Sequence, residues 1–274
     1  MDLAFQTITP VSGGRPERAI AFLHGILGSG KNLKAIATEF VQQRPEWCAY
    51  LVDLRGHGQS AKGTPEPSLE AASRDVVALA TRLGFPLSAI VGHSFGGKVA
   101  LEAARIGRLV SLRDVVTLDS VPSARVPITG GDSALAIIKI LESLPGLHAS
   151  ISAFVDSLER AGLSHVLGQW LAGSLQRDAD GVRFALNLPE LRALILDYFA
   201  RDLWPAVENP PDQTRVHLVI GERSDSYSEA DRQRALQLAA SNDRVTVDVL
   251  PAGHWVHVDD PEGVVQTLLR RIKE

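Results

Sequence analysis

The sequence predicts an α/β domain with a mostly parallel central sheet flanked by helices and an inserted helical cap. Three observations carry that expectation. Short apolar, β-branched runs alternate with helical patterns up to Asp119 and again from Val216. Between them, from Val121 to about Trp204, the pattern is almost wholly helical. Gly92-x-Ser94-x-Gly96 also stands at a junction between a strand pattern and a helix pattern.

The elements follow in order. Residues 19–23 read as a buried strand ending at His24-Gly25, and 33–42 have helical spacing. Residues 48–53 read as a strand that runs into the turn Arg55-Gly56-His57-Gly58. A helix is expected over 69–83, with Ser68 as N-cap and Gly84 as C-cap. Residues 87–91 and 115–118 are strands, the second ending at Asp119. Helical segments are expected near 133–144, 149–160, 164–171 and 189–199. The alternation resumes with a strand at 216–220, a helix at 229–240, a strand at 245–250 and a helix at 261–272. The expected division is 1–121 for the first part of the core, 122–204 for the helical cap and 205–274 for the rest of the core. Open α/β sheets bind ligands at the carboxyl ends of their strands, and a cap inserted after Asp119 would cover that edge.

The bulk properties narrow the function. The 274 residues suffice for one large domain, and 45% are hydrophobic, enough for a sizeable core. A formal charge of −4 gives no attraction to nucleic acid or an anionic membrane. No apolar run approaches the roughly 18 residues that span a bilayer. The first residues, Met1-Asp2-Leu3-Ala4-Phe5, lack a basic and apolar secretory signal. The single cysteine, Cys48, cannot form an intrachain disulfide and sits in a strand pattern, so a reducing, cytoplasmic setting is expected. Nothing specifies an oligomeric state.

The chemistry centres on Ser94. A strand, a sharp turn and a helix in succession make a nucleophile elbow, in which glycines at 92 and 96 remove Cβ atoms that would clash. The Phe95 N–H, at the first helical turn, points at the same spot and can stabilise an oxyanion. A serine hydroxyl needs a base. His254, in Pro251-Ala252-Gly253-His254-Trp255-Val256-His257, directly follows a strand and lies late in the chain, as the order Ser, acid, His requires. His257 is the alternative base. His24-Gly25, after the first buried strand, matches an oxyanion-loop position, with the Ile26 backbone N–H as donor. His24 and His57 are expected to be structural, His93 to lie beneath the nucleophile, and Asp53 and Arg55 to fix their own loop. The residues leave the acid open. Asp119 and Asp225 both follow strand ends, and Glu222 is a weaker third candidate.

Together, Phe22-Leu23-His24-Gly25, Asp53-x-Arg55-Gly56-His57-Gly58-x-Ser60, Gly92-His93-Ser94-Phe95-Gly96-Gly97-Lys98 and Gly253-His254-Trp255 resemble the α/β-hydrolase fold superfamily. Within it, four further features resemble the branch of abhydrolase domain-containing protein 11 and the bacterial YbfF-type esterases. They are Gly28-Ser29-x-x-Asn32-Leu33, the Gly-Gly-Lys after the elbow, the run Val182-Arg183-Phe184-Ala185-Leu186-Asn187-Leu188, and the ending Gly253-His254-Trp255-Val256-His257-x-Asp259-x-Pro261.

The resemblance bears on the acid. Most of the superfamily places it three residues after the glycine ending the late strand, which is Ser224 here. In the branch a serine also stands there, and the aspartate that maps onto Asp119 serves instead. The resemblance therefore ranks Asp119 above Asp225 and implies Ser224 as an auxiliary hydrogen-bonder to His254. The chain departs from the branch at Ser120-Val121-Pro122. The implied activity is cleavage of a small-molecule carboxylic ester or thioester with no metal or organic cofactor. Hydrolysis of C–C bonds, perhydrolysis and amide cleavage suit the same residues. A non-catalytic ligand-binding protein is the alternative from another class.

Overall fold

In the computed structural model, which describes residues 1–11, 15–60, 62, 65–131, 133–211 and 213–273, the chain runs β1 (Phe5–Ile8), β2 (Arg18–Leu23), α1 (Lys34–Gln43), β3 (Trp47–Val52), α2 (Leu69–Ala80), β4 (Leu87–His93), α3 (Phe95–Ile106) and β5 (Asp114–Leu118). It continues through α4 (Ala134–Ser143), α5 (Ile151–Arg160), α6 (His165–Ala172), β6 (Leu175–Asp178), β7 (Gly181–Phe184), α7 (Leu188–Ala200) and α8 (Trp204–Glu208). The last elements are β8 (Arg215–Gly221), α9 (Glu229–Ser241), β9 (Val245–Leu250), α10 (Val256–Asp259) and α11 (Pro261–Arg271).

The sheet order is β1-β3-β2-β4-β5-β8-β9, with β1 antiparallel to β3 and the other neighbours parallel. Side chains of a strand alternate between faces, and β2 shows how both faces are filled. Ala19, Ala21 and Leu23 enter a core shared with α2 and α3, while Ile20 and Phe22 enter a second core shared with α1 and α11. Burial on both faces explains why the strands read as continuous apolar runs. The order reverses beside β2, since the chain moves to β3 on one side and then returns to β4 on the other. The crevice above such a switch point is where open sheets hold ligands.

Three departures from the sequence expectations concern the sheet, the second helix and the stretch between β5 and β8. β1 is an unanticipated antiparallel edge strand. The second helix ends at Ala80 rather than running on to a cap at Gly84. The Thr81 hydroxyl donates back to the Ala78 carbonyl at 2.8 Å and competes with the helical ladder there. The stretch between β5 and β8 is also not wholly helical, because β6 and β7 form a hairpin around Ala179-Asp180. Gly181 has φ +152°, and a Cβ there would strike the His148 carbonyl, whose oxygen accepts from Val182 N–H at 2.8 Å.

Lys98 ties this stretch to the core. It is fully buried on α3, and its Nζ donates to the carbonyls of Ser123 (2.8 Å), Tyr198 (2.9 Å) and Arg201 (2.6 Å). Three carbonyls match the three N–H bonds of an ammonium. Burial and the Arg125 charge lower its pKa to about 7, opposed by Asp202, Asp231 and Asp197. Replacing Lys98 by Met keeps the stem but strands the carbonyls. We expect it to lower unfolding stability by about 2–4 kcal/mol in urea titrations. A variant as stable as wild type would show that the carbonyls find other partners.

Candidate active site

Ser94 joins β4 to α3 with φ 49° and ψ −114°, a conformation costly for a residue with a side chain. The neighbouring sequence makes the turn possible. A Cβ at Gly92 would overlap the Gly96 carbonyl, and one at Gly96 would overlap the Leu23 carbonyl. The end of β5 then grips both sides of the serine. Ser94 N–H donates to the Leu118 carbonyl at 3.0 Å, and the Ser120 hydroxyl donates to the Ser94 carbonyl at 2.6 Å. Phe95 is the first residue of α3, where helix geometry leaves the N–H without an intrahelical acceptor and the helix dipole is positive.

Asp119 lies just past β5 with φ 45°, completely buried. Its own N–H donates to Val219 carbonyl at 2.8 Å, which fixes it against β8. Gly221 N–H donates to Oδ1 at 2.9 Å, the Ser224 hydroxyl donates to Oδ2, and His254 Nδ1 lies 2.7 Å from Oδ2. A carboxylate can only accept, so it holds the proton on Nδ1 and leaves His254 Nε2 with a free lone pair. Asp225 and Glu222 are both exposed, and the carboxylate beside His254 is that of Asp119.

Ser224 departs from its expected place. It hydrogen-bonds Asp119 rather than His254, because it is buried beneath the carboxylate where the chain turns away from β8. The hydroxyl near the imidazole belongs instead to Ser226, whose Oγ lies 2.9 Å from His254 Nδ1. Ser226 N–H in turn donates to Ser224 Oγ at 3.2 Å. The sequence offered no signal for Ser226 beyond its place in the same loop.

The loop after β2 is held by two histidines. His24 Nδ1 donates to the Gly25 carbonyl at 2.7 Å, and its Nε2 accepts from Leu54 N–H at 3.0 Å. His57 Nδ1 donates to the Arg55 carbonyl at 2.8 Å, and its Nε2 accepts from Leu27 N–H at 3.1 Å. Each ring bonds the backbone near the other, and the two pack edge-on at 4.8 Å. Both are fully buried and both must be neutral to accept. Burial lowers the pKa of His24 to about 4 and that of His57 to about 3, the latter aided by the nearby His24. Asp53 completes the frame by accepting from Gly30 N–H and Gln59 N–H, each at 2.8 Å. Arg55 binds Asp75 at 2.7 Å. These bonds force Leu27 to φ 66° and set Ile26 on the wall of the cavity.

Ser94, His254, Ile26, His93 and His257 line one cavity. His93 sits behind His254, with Nε2 2.9 Å from the His254 carbonyl, and burial lowers its pKa well below the usual value. His257 is buried in α10 with its ring 4.4 Å from that of His93, and burial lowers its pKa to about 4. Of the two, His254 is the histidine hydrogen-bonded to a carboxylate, while His257 Nδ1 is buried without a partner among the described residues. The rest of the wall is mainly apolar, with Leu33, Ile137, Trp170, Ile195, Phe199 and Trp255. Arg125 and Tyr198, both from the stretch between β5 and β8, add polar atoms that sequence reasoning did not single out.

A model of the alpha/beta hydrolase family matches residues 20–267. The chain is 30% identical to the sn-1-specific diacylglycerol lipase ABHD11 of Mus musculus, over 89% of this chain and 77% of the relative. It is 25% identical to Esterase YbfF of Escherichia coli K12, over 93% of both chains. Among solved structures, a marine microorganism esterase superposes with a TM-score of 0.81 at 23% identity, covering 99% of each chain. Among the described residues, no helix is long and apolar enough to cross a membrane.

The neutral histidine pair predicts a pH dependence of folding. With the folded pKa depressed, the unfolded chain binds more protons below about pH 6.5, so stability falls as pH drops toward 4. Each such histidine contributes up to about 1.4 kcal/mol per pH unit. In His57→Gln the amide oxygen can still accept from Leu27 N–H but takes up no proton. Urea midpoints measured between pH 7 and 4.5 should show a shallower slope for this variant than for wild type. Equal slopes would mean that His57 is not buried in its neutral form.

Proposed function

Because the chain belongs to the alpha/beta hydrolase family, we propose that it is a carboxylic ester hydrolase cleaving esters or acyl thioesters through Ser94, His254 and Asp119. One observation carries this reading. The strained serine and the histidine paired with a buried carboxylate line the same cavity. The names of the relatives, an esterase and a diacylglycerol lipase, favour an ester over the C–C bonds or peracids that the same residues could serve.

The mechanism follows from the roles the groups can play. Ser94 Oγ attacks the acyl carbon as His254 Nε2 removes its proton. The imidazolium that forms is stabilised by Asp119, which also fixes the tautomer and orientation of the ring. Negative charge on the former carbonyl oxygen is met by the N–H groups of Ile26 and Phe95. As the tetrahedral species collapses, His254 gives its proton to the departing alcohol or thiol. His254 then takes a proton from water, which attacks the acyl-Ser94 ester, and returns that proton to Ser94 Oγ as the acid departs. Residues 122–204 roof this reaction as a cap and supply much of the apolar wall against which an acyl group would lie. A cytoplasmic setting suits the single buried Cys48.

Fluorophosphonate should label wild type but not Ser94→Ala, detected by intact mass. Absence of labelling in both would favour a ligand-binding protein over an enzyme. Asp119→Asn should lower kcat/KM on p-nitrophenyl esters by roughly 1,000- to 10,000-fold. Asp225→Asn, altering an exposed carboxylate, should stay within about threefold. The reverse order of effects would reject Asp119 as the acid.

A further inference from the structure

Tyr198 has a polar atom that the fold itself does not use. The residue lies on α7, is 1% exposed, and lines the cavity with Ser94 and His254. Its hydroxyl is buried and makes no hydrogen bond of normal geometry among the described residues. The hydroxyls of Ser120 and Ser94 lie close enough to pull its pKa down, but burial outweighs them and raises it, so the hydroxyl remains a protonated donor at neutral pH. A buried hydroxyl without a partner costs stability, whereas phenylalanine would fill the same space without that cost.

The ring is also held in place more firmly than packing alone requires. Lys98 Nζ lies 4.5 Å from the ring centroid, and the same nitrogen binds the Tyr198 carbonyl. Phe95 and Phe199 contact the ring at 6.1 Å and 5.4 Å between centroids. Phe95, whose N–H is an oxyanion donor in the proposed reaction, thus packs against the tyrosine that shares the cavity with Ser94.

We propose that the Tyr198 hydroxyl donates a hydrogen bond to the ester group reacting at Ser94, as a third donor beside the Ile26 and Phe95 amides. This proposal rests on the reading of Ser94 as nucleophile. The tyrosine keeps its proton throughout, and no bond to it is made or broken. Its hydrogen bond is strongest when charge has built up on the substrate oxygen, so the effect belongs to kcat rather than KM.

The test compares Tyr198→Phe with wild type and Ser94→Ala on p-nitrophenyl butyrate, with Tm and fluorophosphonate labelling measured for each. The expected result for Tyr198→Phe is a kcat lower by about 10- to 100-fold, at or below the loss typical of one oxyanion donor. KM should stay within about threefold and Tm should be equal or higher, since the unpartnered hydroxyl is gone. A kcat within about threefold of wild type overturns the proposal. So does a loss of kcat accompanied by a clear fall in Tm, which would assign the hydroxyl to packing. Wild type left unlabelled by fluorophosphonate would remove the Ser94 reading and this proposal with it. A labelled wild type with an unaffected Tyr198→Phe removes this proposal alone.

Discussion

A single buried carboxylate organises the carboxyl edge of the sheet. Asp119 takes hydrogen bonds from the backbone at the end of β8, from Ser224 in the following loop, and from His254 beyond β9. Its own N–H reaches back to Val219. Two segments distant in sequence, residues 221–224 and the loop at His254, therefore meet on its two oxygens. The neighbouring Leu118 and Ser120 grip the backbone of Ser94 from both sides. The strained Ser94 and the oriented His254 are thus fixed by three consecutive residues at the end of one strand, and each constraint depends on β5 lying between β4 and β8.

A second frame holds the other side of the cavity, and it is built from neutral imidazoles rather than charge. His24 and His57 each donate once and accept once, which suits a ring buried away from water. A lysine or arginine in either place would have no acceptor role and would carry a charge into the core. The two histidines therefore do for the loop at Ile26 what Asp119 does for His254. One frame needs a charge to hold a proton on nitrogen, and the other needs its absence.

Much of this was legible in the sequence because the local chemistry was strict. Gly92, Ser94 and Gly96 specify a turn that few other residues could make, and the strands on either side are apolar on both faces. The order of Ser94, the following carboxylates and His254 along the chain narrowed the candidate base. Asp119 and Asp225 were not separable from the residues alone, since both follow strands. Their difference is burial, which arises only when β8 pairs with β5. Ser226 and Tyr198 were missed for a similar reason, because their importance lies in what stands opposite them in space. The β6–β7 hairpin is a different case. Asp178-Ala179-Asp180-Gly181 is a turn signal, but its strands are only four residues each and sit among helices.

The anchoring of Lys98 has a consequence for how substrate is received. One ammonium joins the helix that follows Ser94 to carbonyls at both ends of the stretch between β5 and β8, at Ser123 and at Tyr198 and Arg201. The roof and the floor of the cavity at this point are therefore assembled when the protein folds, not when a ligand arrives. The entropy of ordering them is spent in advance, and a ligand entering here meets a preorganised surface. Selectivity at this wall then resembles that of a mould, in which a group of the wrong shape is excluded because the wall does not rearrange to receive it.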